Sequence, residues 1–371
     1  MRTSLRRIPL AALSVALLAP LAGGEELRLF PATVPASGVF APPEGAAPSR
    51  FRLAVRLAWP PAGTGDSERF RIGVDHAAPE ETPREVLAAP AGASVPSVLA
   101  RSTALTTGVV LVGASIYGAS AGWAHGFNAF RSGDEQWFGR DTYGGGSDKS
   151  SHFIVCASLA RELAWVYDHQ GHTRTESTAL ALGVTVLSGL IVEVWDGFTP
   201  YGFSWQDLTA DVLGTATGLI LTRGGLNDLI GLRIGKVGTG IPESETDESE
   251  PFLGTAYSTE VYSADLKIAG VARRLRFRPG PARFLLTSLT YSTKGYGYVP
   301  PIPDRQRLVG FELGLNLPEI LSAVGVPETT WWGIFLYKAL NFFRIPFTSF
   351  GFRYDLNSGT WHGPDTGNKF Y

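Results

Sequence analysis

The sequence predicts an α+β protein: a four-helix up-and-down bundle, membrane-associated, followed by a smaller β-containing C-terminal region. Two observations carry this prediction. Residues 97–240 hold a succession of long apolar stretches with helical spacing. After an acidic run at residues 243–250 (ESETDESE), hydrophobic residues recur with a period of two instead. The chain therefore divides into residues 1–24, 25–96, 97–240, a linker at 241–251, and 252–371.

Composition narrows the class. Charged residues make up 18% of the 371 positions, against about 25% in ordinary soluble domains. With 44 glycines and 11% aromatics, this leans toward an envelope or membrane-associated protein. The net charge of −2 gives no electrostatic footprint for nucleic acid. A lone cysteine, Cys156, excludes an internal disulfide.

Residues 1–24 read as a secretory signal peptide. Arg2, Arg6 and Arg7 precede an apolar run, and Ala22-Gly23-Gly24 supplies small residues for cleavage. Residues 25–96 are rich in Pro and Ala, with two short alternating runs (RFRLAVRLAW and RFRIGV) that read as strands.

The first helix is expected over 97–128, with Ser97 as its cap. Residues 104–124 carry no charge and are long enough to cross a bilayer. The loop after it, 130–146, ends in three glycines without the Lys-Ser/Thr pair of a phosphate-binding loop. The second helix is expected over 148–168, with Ser147 or Asp148 as its cap. The third spans 174–195, entered through a Thr173/Glu176 capping box. Gly197 is placed at its end, where a glycine is free to take positive φ. The fourth spans 204–222, with Ser204 and Asp207 spaced as a capping box and Gly214-x-x-x-Gly218 as a packing motif. Beyond the linker, strands are expected at 257–271, 283–291, 307–317 and 347–356, and an apolar helix at 330–343. These are too few strands of adequate length for an outer-membrane barrel.

The helices carry ionisable residues in apolar surroundings. Asp148 and His152 are i and i+4 and share a face. Glu193 lies near a helix C-terminus, where the dipole disfavours negative charge and something must offset it. If the second and third helices run antiparallel, Asp148, His152, Glu193 and Asp207 fall in one layer. Asp211 then lies one turn deeper, and Ser204 and Asp211 support the others from behind. Asp, His and Glu in one pocket are plausible ligands for a divalent cation, and Lys149 is placed to contact a phosphate. Read singly, the same residues are helix caps or a polar network holding the helices in register.

The segments D-K-S-S-H-F, E-V-W-D-G-F and G-F-S-W-Q-D-L-T-A-D-V-L-G together resemble the YfiM family of predicted periplasmic lipoproteins, a domain of unknown function. They are more distantly similar to the VanZ-like membrane proteins. The resemblance falls on Asp148, Lys149, His152, Glu193, Ser204, Asp207 and Gly214. Asp211 stands where the family usually has Asn, and the lipid-attachment cysteine is missing. The resemblance implies an exported protein of the bacterial cell envelope, with a membrane as partner, and transfers no activity. Two functions follow: a structural or accessory envelope protein, or a membrane-associated, metal-dependent enzyme acting on a lipid or cell-wall precursor. For the second, Asp148, Lys149, His152, Glu193 and Asp207 are the candidate catalytic residues. No G-x-S-x-G nucleophile motif occurs in the helical core.

Overall fold

The computed structural model describes residues 95–236, 257–297 and 304–365. The signal peptide, nearly all of the Pro/Ala-rich region and the acidic linker lie outside these. The described residues form one compact unit of mixed helix and sheet, so the α+β class holds.

Four long helices come first: α1 (Val95–His125), α2 (Ser147–Gln170), α3 (Arg174–Asp196) and α4 (Trp205–Arg223). Val110 of α1, Leu163 and Tyr167 of α2, Ala181 of α3 and Leu219 of α4 share one apolar core. The Tyr167 hydroxyl inside it is satisfied by Thr107 Oγ1 at 2.9 Å, so the ring is buried without an orphaned polar group.

Local chemistry sets the helix ends. At the end of α2, Gly171 takes φ +102. Its N–H donates to Asp168 O and that of His172 to Tyr167 O, a Schellman turn open to glycine at little steric cost. Thr173 then starts α3 with the full capping box to Glu176. Ser204 caps α4 by accepting from Asp207 N–H at 3.2 Å. The caps expected for α2 do not form: the helix starts behind Gly146 at φ +93, with no side-chain cap. Gly197 is also not left-handed. Its φ is −54, and what its missing Cβ permits is the approach of the Phe130 ring.

The closest helix contact is between α2 and α4. A Cβ on Gly214 would stand 2.1 Å from Phe153 O, and one on Gly218 the same distance from Ala157 O. Two glycines one turn apart on α4 thus lie flat against two successive turns of the α2 backbone, as small-x-x-x-small motifs allow.

Two-residue strands β1 (Ser132–Gly133) and β2 (Phe203–Ser204) pair in parallel and tie the loop after α1 to the start of α4. The remaining strands form one antiparallel meander in chain order: β3 (Ile230–Lys236), β4 (Glu260–Lys267), β5 (Leu285–Lys294), β6 (Gln306–Leu315), β7 (Ser349–Asp355) and β8 (Thr360–Asp365). Leu232, Ile234 and Tyr262 on one face of β3 and β4 pack against Ile154 and Ala157 of α2 and Leu221 of α4. Three short helices complete the fold: α5 (Ile268–Leu275), α6 (Leu317–Ala323) and α7 (Trp331–Phe342).

The sheet departs from expectation in three places. The stretch 257–271 is strand only to Lys267 and then turns into α5, whose apolar residues bury one side while Arg273 and Arg274 stay outside. β3 falls within the segment read as purely helical, and β8 was not expected. β3 (IGLRIGK) has glycines at two of its alternate positions and β8 (TWHGPD) a Gly-Pro pair, so neither carries a run of apolar and polar side chains in alternation.

Candidate functional site

The site lies where the first turn of α2, the last turn of α3 and the first two turns of α4 meet. Asp148, Lys149 and Glu193 are buried, as are Asp207 and Asp211. His152 retains 19% side-chain exposure.

Two hubs organise the charges. Lys149 Nζ is the first. It sits 2.6 Å from Glu135 Oε2, 3.0 Å from Asp148 Oδ2 and 2.9 Å from Asp207 Oδ1. The imidazole of His152 is the second. Its Nδ1 lies 3.0 Å from Asp211 Oδ1 and 3.7 Å from Glu193 Oε1, and its Nε2 lies 3.6 Å from Asp148 Oδ1. Cys156, one turn further along α2, donates its thiol to Asp211 Oδ1 at 3.0 Å. The Asp211 carboxylate fits because Gly189 faces it; a Cβ there would stand 2.3 Å from Asp211 Oδ2.

Glu193 illustrates how the fold tolerates a carboxyl at the wrong end of a helix. Its Oε2 accepts the backbone N–H of Ser204 at 3.0 Å. Ser204 is the cap of α4, so the positive end of one helix dipole stands against the acid at the negative end of another. Glu193 Oε1 and Asp211 Oδ2 remain buried without a hydrogen-bond partner.

Protonation follows from burial and neighbours. Burial pushes Glu193 up to about 9, against a partial opposing pull from His152. It also raises Asp207, with help from Asp148, and Glu135. Asp148 goes the other way: burial would raise it, but Lys149 and His152 together hold it well below the usual carboxylate range. For His152, burial would lower the pKa, and Asp211 and Asp207 outweigh it, so the imidazole is held protonated well above its usual range. Burial and the Asp211 carboxylate raise the Cys156 thiol and keep it from ionising.

Of the sequence candidates, Asp148, Lys149, His152, Glu193 and Asp207 all line this pocket. Ser204 holds Glu193 and starts α4. Asp211, expected one turn behind, is instead the carboxylate closest to the imidazole. Glu135 was not among the candidates. It sits in a loop with no periodicity, and what brings it to Lys149 is the β1–β2 pairing, which no local pattern announces.

Ligand atoms of Asp148, His152 and Asp207 lie within 4.8 Å of one another, as do those of His152, Glu193 and Asp211. Five carboxyls face one ammonium and one imidazole. Such a set can share retained protons, or exchange them for a cation bound by imidazole nitrogen and carboxylate oxygen.

Residues 134–223 match a family described as "Predicted periplasmic lipoprotein (DUF2279)". The matched segment runs from the residue before Glu135 to the last residue of α4, so it contains every charged group of the site. It agrees with the YfiM-like resemblance and with an exported, cell-envelope location, and it says nothing of VanZ-like proteins. No curated protein and no solved structure matches the chain.

Proposed function

We propose, on the premise that residues 134–223 form a domain of the predicted periplasmic lipoprotein family, that this protein is an accessory component of the cell envelope. In this reading its helices act as an up-and-down bundle pinned by a divalent cation. One observation carries it: Glu193 Oε1 and Asp211 Oδ2 are buried without a hydrogen-bond partner beside His152. A buried carboxyl oxygen without a partner is costly, and a cation taking the place of the protons on Glu193 and His152 would give both oxygens one. Mixed imidazole and carboxylate donors suit Zn²⁺ or Mn²⁺. Membrane association belongs to the same reading. The segments Val98–Trp123 of α1 and Arg174–Asp196 of α3 are long and apolar enough to cross a membrane, and Leu105, Val112 and Ile116 of α1 face outward.

Metal analysis of the purified mature chain tests the proposal. About one cation per chain is expected after dialysis, lost in Glu193→Gln and Asp211→Asn. A metal-free chain that also takes up neither Zn²⁺ nor Mn²⁺ on titration would reduce the cluster to a protonated polar network.

A second reading, a metal-dependent enzyme acting on a lipid or cell-wall precursor, is favoured by a groove beside the cluster. It has a volume of about 370 Å³, is lined by Trp137, Phe138, Phe153, Leu213 and Leu289, and has Lys149 in its wall. An apolar tail in this groove would place its polar end near the charged residues. Release of phosphate or a headgroup from a lipid substrate by the metal-loaded chain, absent in His152→Ala, would favour this reading over the accessory one.

A further inference from the structure

The apolar face of the six-stranded sheet packs against α2 and α4 at β3–β4, but across β5–β8 that same face is exposed and the polar face is buried. On one face, Asp265, Glu312, Arg353 and Arg344 are buried and paired with one another or their neighbours. Arg233 Nε donates to Asp265 Oδ2 at 2.5 Å, Arg353 Nη2 donates to Glu312 Oε1 at 2.8 Å, and Arg344 bridges to Glu312 as well. The opposite face of β5–β8 is apolar. Register places Leu289, Phe311 and Phe352 in one cross-strand row and Leu313 beside Phe350, with Trp361 next to Tyr354. Phe311 is 63% exposed, Phe352 48% and Trp361 69%. An antiparallel sheet facing water places its apolar side on the core and its polar side outward. The reverse alternation is what a sheet facing hydrocarbon requires, and a contiguous exposed apolar patch marks an interaction surface.

The occupant is indicated by charge at one end of this face. From the last residue of α5 toward β5 runs Leu275-Arg276-Phe277-Arg278, all four exposed. Leu275 is 71% exposed and Phe277 48%. Arg273 and Arg274 pair with Asp228, whereas Arg276 and Arg278 make no ion pair among the described residues. β5 begins close behind, and its first residue, Leu285, pairs with the last of β6, Leu315. Phe347 is exposed just ahead of β7, whose Ser349 pairs with Gly314 at that same end. Arginines with no acidic partner among the described residues, set among exposed apolar side chains at the margin of an apolar face, match the phosphate layer above acyl chains.

We propose that the apolar face of β5–β8, together with the Leu275–Arg278 segment, is the surface by which the protein docks on an anionic lipid membrane. The arginines take lipid phosphates, and the Phe311/Phe352 row lies against the acyl boundary. This surface reaches the groove beside the His152 cluster through Leu289 but holds none of the cluster's charged residues, so vesicle binding and cation binding are lost separately.

Vesicle co-sedimentation of the full mature chain is the test, with phosphatidylcholine vesicles prepared with and without phosphatidylglycerol. Binding to phosphatidylglycerol vesicles is expected to weaken roughly tenfold in Arg276→Gln/Arg278→Gln, with little change on phosphatidylcholine alone. Phe311→Ser/Phe352→Ser should lose binding to both while keeping its melting temperature and far-UV spectrum. A polarity-sensitive dye on Phe311→Cys should shift to the blue on vesicles, which reads the face without removing it. Wild-type-like binding by the Phe311→Ser/Phe352→Ser variant, or no shift of the dye, would overturn the proposal. So would a wild-type chain that ignores vesicles and buries the face in a dimer which that double variant abolishes.

Discussion

Gly189 decides more about the site than its lack of a side chain implies. In a mid-helix position, alanine is ordinarily the better residue by about 1 kcal/mol. Here the added Cβ would stand 2.3 Å from Asp211 Oδ2 and push that carboxylate away from His152. Gly189→Ala should therefore lower cation affinity about tenfold or more, the scale on which displaced support of a ligand acts, as read by titration calorimetry. His152→Ala should abolish cation uptake while leaving the far-UV spectrum intact. Asp148 and His152 were legible from the sequence because helical spacing puts them on one face, and Lys149 through the D-K-x-x-H resemblance. Asp211 was underrated because its distance from the imidazole depends on how closely α4 lies against α2, and glycines report closeness without direction. Glu135 was illegible for a different reason: its approach to Lys149 depends on a pairing of two-residue strands far apart in the chain.

At the scale of elements, the α2–α4 contact is the one that tolerates least. Gly214→Ala would drive a Cβ to 2.1 Å from a backbone oxygen that cannot rotate away. Overpacking costs about 1–3 kcal/mol, and against an immobile backbone oxygen the upper end is expected, a fall of roughly 6–12 °C in Tm for a unit of this size. By contrast, Thr173→Ala removes only a cap. It should cost about 1 kcal/mol and leave cation binding untouched, so the pair of melts separates packing from capping. The four long helices were readable because their apolar positions repeat over many turns. The sheet was readable in β4 to β7 and not in β3 or β8. The handover from β4 to α5 was not, since Tyr257–Leu275 carries apolar residues that serve either period.

For the molecule as a whole, stability should depend on pH in a direction fixed by the buried cluster. Glu193 keeps its proton up to about 9 in the fold, against 4.5 as a free side chain. His152 likewise holds a proton above its usual range when folded. Between those limits the folded chain binds more protons than the unfolded one, so stability falls as pH rises. The stabilisation from His152 is complete below about 6.5 and is lost as pH climbs through its raised value. In metal-free protein, Tm should drop steadily from about pH 5 to about pH 9. A saturating divalent cation should flatten or reverse that slope, because it occupies what the protons leave. A metal-free melt unchanged across this range would contradict the protonation pattern.

The loop that enters α2 is held from far downstream. Tyr291 donates its hydroxyl to Gly145 O, Tyr296 donates to Arg140 O at 2.9 Å, and Ser147 Oγ lies 2.8 Å from Thr293 Oγ1. All three partners belong to β5 or the turn after it. On a chain made from its N-terminus, Asp148, Lys149 and His152 are synthesised long before the tyrosines that fix their approach. Helices α2–α4 can pair early through local contacts, but the mouth of the site has to wait for a non-local sheet, which forms slowly. Pulsed hydrogen exchange during refolding should accordingly protect the middle of α2 before residues 140–147. A chain ended at residue 223 should keep its helices and leave that mouth unprotected. The charged pocket is then the last part of the helical half to mature, its assembly timed by a sheet that contributes none of its charges.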